Sequence, residues 1–403
     1  MVRIRLFALF ILMGALGLSA RLDAQANPMP THDYRVIGYY AAWTVYRDFD
    51  VASIPAGQLT HLNYAFANIS DAGEIVLGDP WADAEMPDPQ DTTGAELQGN
   101  HRQLLLLKQA FPHLKTLISV GGWSWSDRFS DVALTAESRT TFARSAVDFV
   151  TRYGFDGIDL DWEYPTGGGD PGNLERPEDP ENFIRLLEEL RAQLDARGAM
   201  DNRDYLLTIA AGAGRSAYQP LDWARIHPLL DWLNVMTYDM SGAWSRLTGF
   251  NAPLYDSQPQ PPEGTSADTT LRDFIALGVP PEKLVLGVPF YGRGWAGVGP
   301  ENNGLHQPFS GVPAGTREQG YYDYADLAAN YVSEATRHWH ETAQVPWLYD
   351  AETGVMISYD DPESLAGKAR YVRENGLGGI MIWELSTDDG TLLAAIDEAL
   401  SAP

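Results

Sequence analysis

The sequence contains no cysteine, and this absence excludes several classes of protein. A cysteine nucleophile, a thiolate zinc site and a cysteine-linked lipid anchor are ruled out, and no disulfide can brace the fold. The chain must therefore rely on its hydrophobic core for stability. With 403 residues, of which 44% are hydrophobic, it is long enough to bury a sizeable one.

Long apolar runs are also lacking, except near the N-terminus. There Arg3 and Arg5 precede an apolar run over residues 6–18, and the "AQA" at residues 24–26 resembles a cleavage site. The pattern predicts a signal peptide over residues 1–26, because the run is short for a membrane span. An uncleaved anchor helix is the alternative. We expect a protein secreted to the extracellular space or the periplasm, with no membrane partner.

Positive charge is scarce along the whole chain. The sequence has 28 Lys and Arg against 55 Asp and Glu, a formal net charge of −27, and only four of the cations are lysines. Such a negative field argues against nucleic acid or an anionic membrane as a partner and favours a neutral or cationic substrate. Low lysine with abundant acid also suggests adaptation to salt, which activity measured against NaCl concentration would test.

The chain shows a regular alternation of strand-like and helix-like patterns. Helical patterns include residues 99–111, 135–153 and 180–197. Eight strand units favour an α/β fold, a (β/α)8 TIM barrel within residues 27–403, over an open doubly wound sheet, which usually has fewer strands. The eight strand-like segments are 34–43, 59–69, 114–123, 155–164, 205–213, 230–240, 283–295 and 378–386.

The alternation breaks once, between the seventh and eighth strand patterns. Residues 296–358 do not read as one barrel helix, and their pattern predicts a small α+β insertion within the barrel. No linker to a separate domain is visible. We therefore expect one catalytic domain that carries an insertion between strands seven and eight.

Aromatic and polar residues cluster where the predicted strands end. In barrels of this kind the active site lies at the C-terminal ends of the strands. Strand ends are wetter than strand centres, but that explains only one or two of these residues and not the concentration of Trp and Tyr. The cluster contains Trp43, Phe66, Asn68, Trp123, Tyr164, Tyr238, Asp239, Tyr291, Arg293, Trp383 and Glu384.

The fourth predicted strand, "FDGIDLDWEYP" at residues 155–165, carries four acidic side chains. Because side chains alternate along a strand, Asp159, Asp161 and Glu163 share one face, which we expect to point into the barrel. Three carboxyls in a confined interior cannot all ionise, so at least one should keep a proton near neutral pH. Glu163 lies nearest the barrel mouth and is the predicted general acid. The other face carries Asp156, Ile158, Leu160 and Trp162.

The same acidic residues allow a different interpretation, as ligands of Ca²⁺ or Mg²⁺. A site for a hard cation normally draws its ligands from a loop or from several segments, whereas these carboxyls follow one strand. The "HWH" at residues 338–340 suggests a metal pair but lacks a nearby third ligand. We therefore predict no metal and no cofactor.

A carboxylic acid among many Trp and Tyr suggests glycoside hydrolysis, because aromatic faces stack on sugar rings. Most glycosidases use two carboxyls that flank the scissile bond. Here Asp161 lies behind Glu163 on the same side, and the strand offers no carboxylate across a cleft from it. The arrangement favours the substrate-assisted exception, in which the acetamido oxygen of the sugar attacks its own anomeric carbon.

The motifs of this chain resemble those of family 18 glycoside hydrolases, the chitinases. "DGIDLDWE" matches the D-x-x-D-x-D-x-E signature of the family, and "SVGG" at residues 119–122 matches its S-x-G-G motif. "MTYDM", "LGVPFYGRGW" and "GGIMIWELS" are similar to its sixth, seventh and eighth strands. The resemblance extends from about residue 35 to about residue 400. The predicted insertion resembles the chitinase insertion domain of one bacterial subgroup.

The resemblance implies a secreted chitinase that acts on chitin or N-acetylglucosamine oligosaccharides by a retaining, oxazolinium mechanism. It implies that Glu163 is the general acid and base, that Asp161 turns between Asp159 and the acetamido group, and that Tyr238 donates its hydroxyl to the acetamido oxygen. We expect a monomer. The implied substrate-binding residues are Tyr39, Phe66, Trp123, Met236, Asp239, Trp244, Tyr291, Arg293 and Trp383, and the implied supporting residues are Ser119, Gly121, Gly122 and Asp156.

Other functions fit the sequence less well. A chitinase-like lectin typically lacks the acidic Glu or the middle Asp, and this chain has both. An endo-β-N-acetylglucosaminidase that acts on glycoprotein glycans is a second alternative, although the insertion and the aromatic residues favour long chitin chains. "GRGWAG" at residues 292–297 fits a dinucleotide fingerprint, but no amphipathic helix follows it.

Overall fold

The computed structural model describes residues 29–88, 95–257, 265–333 and 336–402. The predicted signal peptide, residues 1–26, lies outside the described residues. Among the described residues, no helix combines the length and the apolar character needed to cross a bilayer.

Eight parallel strands close into a barrel, which confirms the predicted fold class. In barrel order they are β1, β2, β4, β5, β6, β7, β8 and β14, and β14 pairs with β1 to close the ring. The strands are β1 (Arg35–Ala41), β2 (His61–Ile69), β3 (Ile75–Leu77), β4 (Lys115–Gly121), β5 (Gly157–Asp161), β6 (Leu206–Gly212), β7 (Trp232–Met236), β8 (Leu284–Pro289), β9 (Tyr291–Trp295), β10 (Tyr321–Asp323), β11 (Arg337–His340), β12 (Val345–Asp350), β13 (Val355–Ser358) and β14 (Gly379–Trp383).

Helices surround the barrel and begin and end at recognisable signals. The longer of them start near the predicted bounds, and α3 begins with a capping box between Thr135 and Ser138. It ends at Gly154, whose φ of 75° is left-handed. The helices are α1 (Gly99–Ala110), α2 (Phe129–Leu134), α3 (Ala136–Tyr153), α4 (Asp179–Asp201), α5 (Arg215–Tyr218), α6 (Trp223–Ile226), α7 (Ala267–Ala276), α8 (Tyr324–Asn330), α9 (Pro362–Glu374) and α10 (Thr391–Ser401).

Residues 283–295, which read as a single strand in the sequence, form two strands that belong to different sheets. β8 pairs with β7 and β14 in the barrel, whereas β9 pairs with β10 and β13 in an antiparallel sheet ordered β10-β9-β13-β12-β11. The change occurs at Phe290, whose N–H donates to the carbonyl of Trp383 at 2.8 Å while its carbonyl accepts from Tyr324 N–H at 3.1 Å. The antiparallel sheet therefore begins before the expected bound at residue 296.

The apolar core has an outer and an inner part. The outer part fills the space between strands and helices, and the apolar side chains of β5, Ile158 and Leu160, are fully buried there. The inner part lies inside the barrel and contains Tyr39, Phe66 and Met381. The inward side of β5 is thus left for its acidic residues, as the alternation predicts.

Candidate active site

Asp159 lies at the centre of the barrel and is fully buried, with 0% of its surface exposed. All four of its hydrogen-bond donors are neutral. Tyr39 and Ser119 donate their hydroxyls to Oδ2, each at 2.7 Å. Thr208 Oγ1 donates to Oδ1 at 2.6 Å, and Asn234 Nδ2 donates to it at 3.1 Å. Burial raises the pKa of Asp159, and the hydrogen bonds offset part of that rise.

Asp161 has the opposite arrangement, because its buried Oδ1 has no hydrogen-bond partner among the described residues. Burial raises the pKa of Asp161 well above its usual value, and the charges of Glu163 and Asp159 raise it further. A buried carboxylate whose oxygen has no hydrogen-bond partner is costly, because its charge is unpaired. Such a group is therefore either protonated or paired with a bound ligand. The surroundings of Asp161 therefore favour its protonated form.

Glu163 follows the end of β5 and lies at the barrel mouth. Burial raises the pKa of Glu163 to about 7, and the charge of Asp239 adds to the effect while the Tyr164 hydroxyl opposes it. Burial raises the pKa of the Tyr238 phenol, and the charges of the nearby Asp161 and Glu163 raise it further. A carboxylic acid with a pKa near 7 can donate a proton at neutral pH and accept one afterwards.

The "SVGG" motif folds tightly against the acidic strand. Gly121 has a φ of 103°, and a Cβ there would lie 2.4 Å from the carbonyl oxygen of Asp161. Gly122 has a φ of 78°, and its N–H donates to the same carbonyl at 2.8 Å. Any side chain would be strained at either position, so the two glycines allow β4 to approach Asp161.

Asp239 and Arg293 form the charged part of the site. Arg293 Nε donates to Oδ1 of Asp239 at 2.8 Å and Nη2 donates to Oδ2 at 2.7 Å, a two-pronged ion pair. The Tyr291 hydroxyl donates to Oδ1 at 2.8 Å. The guanidinium also lies over the ring of Tyr291, at 5.1 Å, and over that of Tyr321, at 5.3 Å. The pair carries no net charge, and of its two members it is Asp239 whose charge raises the pKa of Glu163, after the larger effect of burial.

Aromatic rings form the floor of the site. Trp383 stacks on Phe66 with ring centroids 5.7 Å apart and an interplanar angle of 23°, and it meets Tyr39 edge-on at 5.5 Å. Trp43 lies beside Trp383, at 6.4 Å. Met236 packs against the same inner cluster. The predicted binding residues around Trp383 therefore come together in one apolar floor.

Two predicted stacking residues are exposed at the rim. Trp123 is 48% exposed and Trp244 is 61% exposed. Trp244 lies on a loop, but its position is defined, because Arg293 lies 5.2 Å from its ring and Gly242 leaves room for the indole. Large exposed indoles beside a cleft are available to stack on a ligand.

Asp156 lies outside the site. Its Oδ2 is 2.6 Å from Lys108 Nζ and accepts the N–H of Thr116 at 2.8 Å, and its Oδ1 accepts from Arg203 Nη2 at 2.5 Å. Although burial alone would raise the pKa of Asp156, the Lys108 ammonium holds it below its usual value. The contacts link the residue before β5 to α1, to β4 and to the segment before β6.

The residues that the structure describes contain no group of three or more His, Asp or Glu side chains arranged to hold a metal ion. His338 and His340 lie in β11, where His338 packs at 5.1 Å against the ring of Trp347. They therefore belong to the apolar packing of the antiparallel sheet.

Sequence reasoning missed several residues of the site. Thr208 and Asn234 occupy inward positions of β6 and β7, so the alternation of those strands carried a signal that was not used. Tyr321 stacks on Tyr291 with centroids 4.4 Å apart, but it comes from the insertion, which no local pattern connects to the barrel mouth. Ser126 follows the "SVGG" motif and contacts the backbone of Glu163 at 2.9 Å.

Comparison with known proteins identifies the family to which the chain is similar. A family model described as "Glycosyl hydrolases family 18" matches residues 35–388. Chitinase A1 of Niallia circulans is 46% identical over 395 residues, which cover 88% of this chain and 56% of that protein. This chain thus spans little more than half the length of that relative.

Two solved structures have the same architecture. Chitinase ChiA74 from Bacillus thuringiensis has a TM-score of 0.87 and is 41% identical, with 91% of this chain and 70% of that chain covered. The Ostrinia furnacalis Group IV chitinase in complex with allosamidin has a TM-score of 0.82 and is 34% identical, with 92% and 99% covered. The residues matched by the family model, 35–388, include both the barrel strands and the antiparallel sheet.

Proposed function

The chain belongs to glycosyl hydrolase family 18, and from that premise we propose that it is a secreted chitinase. It would hydrolyse the β-1,4 linkages of chitin and of N-acetylglucosamine oligosaccharides with retention of configuration. Its similarity to proteins named as chitinases supports this choice. The observation that carries it within the chain is the row of inward carboxyls that ends at Glu163, whose pKa burial raises to about 7.

In the proposed mechanism Glu163 acts first as an acid and then as a base. It gives its proton to the glycosidic oxygen while the acetamido oxygen of the same sugar attacks the anomeric carbon. The C–O bond to the leaving sugar breaks, and an oxazolinium ion forms. Glu163, now ionised, takes a proton from the water that opens this ion, which restores the acid and releases the product.

Asp161 is proposed to stabilise the oxazolinium. Its free Oδ1 can accept the N–H of the acetamido group, which gains positive charge as the ring closes. When Asp161 instead turns toward Asp159, the two carboxyls share a proton. Tyr238 donates its hydroxyl to the acetamido oxygen and so orients it for attack.

Substrate binding is assigned to the aromatic floor and to the rim. Trp383, Phe66 and Tyr39 offer a ring surface beneath the reacting sugar, and Trp123 and Trp244 offer exposed faces to further sugars. Asp239 and Arg293 hydrogen-bond sugar hydroxyls as a neutral pair. A neutral polysaccharide also suits a chain with a net charge of −27.

Export is the remaining part of the proposal. Residues 1–26 have the charge and apolar pattern of a signal peptide, and a polymeric substrate such as chitin must be attacked outside the cell. Expression in a bacterial host, followed by N-terminal sequencing of protein from the medium or periplasm, tests it. A mature N-terminus near residue 27 is expected, and protein that remains intact in the cell would contradict export.

The central experiment is Glu163→Gln, with Glu137→Gln on the exposed side of α3 as its control. Loss of the acid should lower kcat on chitohexaose by on the order of 10³-fold while the affinity for the sugar and the fold are kept. Kinetics, calorimetric binding and circular dichroism measure these three properties. Retention of most activity by Glu163→Gln would remove the proposed acid, and binding without hydrolysis by the wild type would indicate a lectin.

Substrate assistance has its own test. The wild type should hydrolyse N-acetylated polymer efficiently and fully deacetylated chitosan poorly, because only the acetamido oxygen can attack the anomeric carbon. Reducing ends released from the two polymers at matched chain length measure the difference. Comparable rates on both would contradict the oxazolinium route.

A further inference from the structure

The backbone of Glu163 lies beyond the reach of the sheet. The last pair between β4 and β5 joins Gly121 and Asp161. The last pair between β5 and β6 ends at Leu160. Glu163 thus lies past the paired part of its strand, and none of the described strands forms a ladder hydrogen bond with its backbone. Its backbone N–H and C=O still need partners, because the site is largely enclosed.

Two side chains provide those partners. The N–H of Glu163 donates to Ser126 Oγ at 2.9 Å, and Asn173 Nδ2 donates to the carbonyl oxygen of Glu163 at 3.1 Å. Ser126 comes from the turn after β4, and Asn173 comes from the loop between β5 and α4. Both polar backbone atoms of Glu163 are therefore held by side chains from outside its strand.

Ser126, which contacts Glu163, is itself held in place by burial and by hydrogen bonds. Its side chain is fully buried, with 0% of its surface exposed. Its Oγ lies 2.9 Å from the carbonyl oxygen of Gly122 and 3.1 Å from that of Asp161, and its hydroxyl donates a hydrogen bond that these two oxygens share. A hydroxyl donates one hydrogen bond and accepts others on its lone pairs. The Ser126 hydroxyl can therefore donate to the carbonyls of Gly122 and Asp161 and accept the N–H of Glu163 at the same time. Ser126 thereby connects the glycine turn, Asp161 and Glu163.

Trp162 completes the restraint from the other side of the chain. It stacks on Phe129 with centroids 5.3 Å apart and an interplanar angle of 15°, and it meets Phe183 edge-on at 5.7 Å. The packed ring of Trp162 fixes the backbone before Glu163, and the two hydrogen bonds fix the backbone of Glu163 itself. Together they determine the direction of the Cα–Cβ bond of Glu163. Catalytic groups need such restraint, since a misplacement of about 1 Å can cost 10²-fold in rate.

We propose that Ser126 and Asn173 are positioning residues that hold the Glu163 carboxyl at the glycosidic oxygen by binding its backbone. The inference rests on the proposed role of Glu163 as the general acid. It assigns no direct contact with substrate to either residue. Loss of either hydrogen bond should therefore weaken proton transfer and leave sugar binding nearly unchanged.

The test compares two substrates that differ in their need for an acid. Chitohexaose has a poor leaving group, whereas 4-nitrophenyl N,N′-diacetylchitobioside releases a phenol that needs little protonation. Ser126→Ala and Asn173→Ala should lower kcat on chitohexaose by about 10- to 10²-fold, with KM within about 3-fold of wild type. On the nitrophenyl substrate the loss should be several-fold smaller. Ser124→Ala, on the exposed part of the same turn, is the matched control and should match wild type.

Each alternative leaves a distinct result. An equal fractional loss on both substrates, or wild-type rates for both variants, would overturn the positioning role. If Ser126→Ala does not fold, Asn173→Ala provides the same comparison, because its side chain is only half-buried. If Glu163→Gln keeps most of its activity on chitohexaose, the proposed function fails. If Glu163→Gln is inactive and the two variants are normal, only the positioning role fails.

Discussion

The two ends of one strand hold buried carboxyls in opposite electrostatic surroundings. Just before β5, Asp156 lies between Lys108 and Arg203, and its pKa is held below the usual value. At the mouth, Asp161 and Glu163 have raised pKa values. In the described part of the chain, the groups that act on their pKa values are carboxyls and a hydroxyl rather than cations.

The difference shows that sequence position alone does not decide what a buried acid does. Asp156 and Asp161 share a side-chain type and lie in the same short stretch. Asp156 is compensated by the positive charges of Lys108 and Arg203, whereas no cation among the described residues compensates Asp161. A compensated carboxylate stabilises its surroundings by pairing, and removing its partner leaves a buried charge. An uncompensated carboxyl keeps a proton that it can exchange, which is costly for the fold and useful for catalysis.

After Glu163→Gln, the largest effect at the mouth should come from removing the middle carboxyl, Asp161. Asp161→Asn keeps the shape but cannot carry the negative charge that is proposed to stabilise the oxazolinium. We expect kcat on chitohexaose to fall by on the order of 10²-fold or more, with the melting temperature unchanged or raised. Steady-state kinetics and calorimetry measure both. A loss of activity that only tracks a lowered melting temperature would show that Asp161 acts like Asp156.

Tyr238→Phe should have the next largest effect. It removes a hydroxyl that is proposed to contact the acetamido oxygen, and it leaves the ring that packs against the inner cluster. The expected loss in kcat is about 10- to 10²-fold, since one donor to a developing charge is removed. KM should change less than kcat, and an unchanged kcat on chitohexaose would argue against a role at the oxazolinium.

Much of the fold was predictable because each barrel strand has a recognisable local sequence pattern. Each combines a short apolar run with a helical pattern after it, and all eight were located. The division of residues 283–295 was not predictable in this way. Pro289 and Phe290 lie inside a continuous apolar pattern, and only the partners of Phe290 on β14 and α8 show where the sheet changes.

The inward placement of Asp159, Asp161 and Glu163 was predictable, because it depends on the alternation of side chains along a strand, and their catalytic roles stay predictions. The site was not predictable where contacts come from distant segments. Tyr321 reaches Arg293 from the insertion, and Ser126 and Asn173 act on a backbone atom that any residue would present. Such residues carry no chemical signature in the sequence.

At the base of the strand, Asp156→Asn should affect stability and leave catalysis alone. The variant leaves Lys108 partly buried beside an amide, while Arg203 is exposed enough to be solvated. We expect a loss of about 2–3 kcal/mol in the free energy of unfolding, with kcat on chitohexaose near the wild-type value. Urea unfolding at pH 7 and kinetics at 25 °C test this. A large loss of kcat in a stably folded variant would contradict the separation of the two ends.

The two ends should also respond to pH with opposite signs. The folded pKa of Glu163 is raised to about 7, with Asp161, Asp239, Tyr164 and Tyr238 facing it. The stability that its protonated form contributes is therefore complete below about pH 4.5 and lost as pH rises through about 7. Glu163→Gln does not titrate, so its stability should rise relative to that of the wild type by about 2–3 kcal/mol between pH 5 and pH 8.

The base of the strand provides the matched measurement. The folded pKa of Asp156 is lowered, so its contribution is present above the usual carboxyl pKa and lost as pH falls through the folded value. The stability difference between wild type and Asp156→Asn should therefore shrink as the pH is lowered below about 4. Thermal unfolding of wild type and both variants from pH 3 to pH 8 tests the two signs together. Parallel pH curves for Glu163→Gln and wild type would mean that the folded pKa of Glu163 is not raised, which would contradict the opposite signs expected at the two ends of β5.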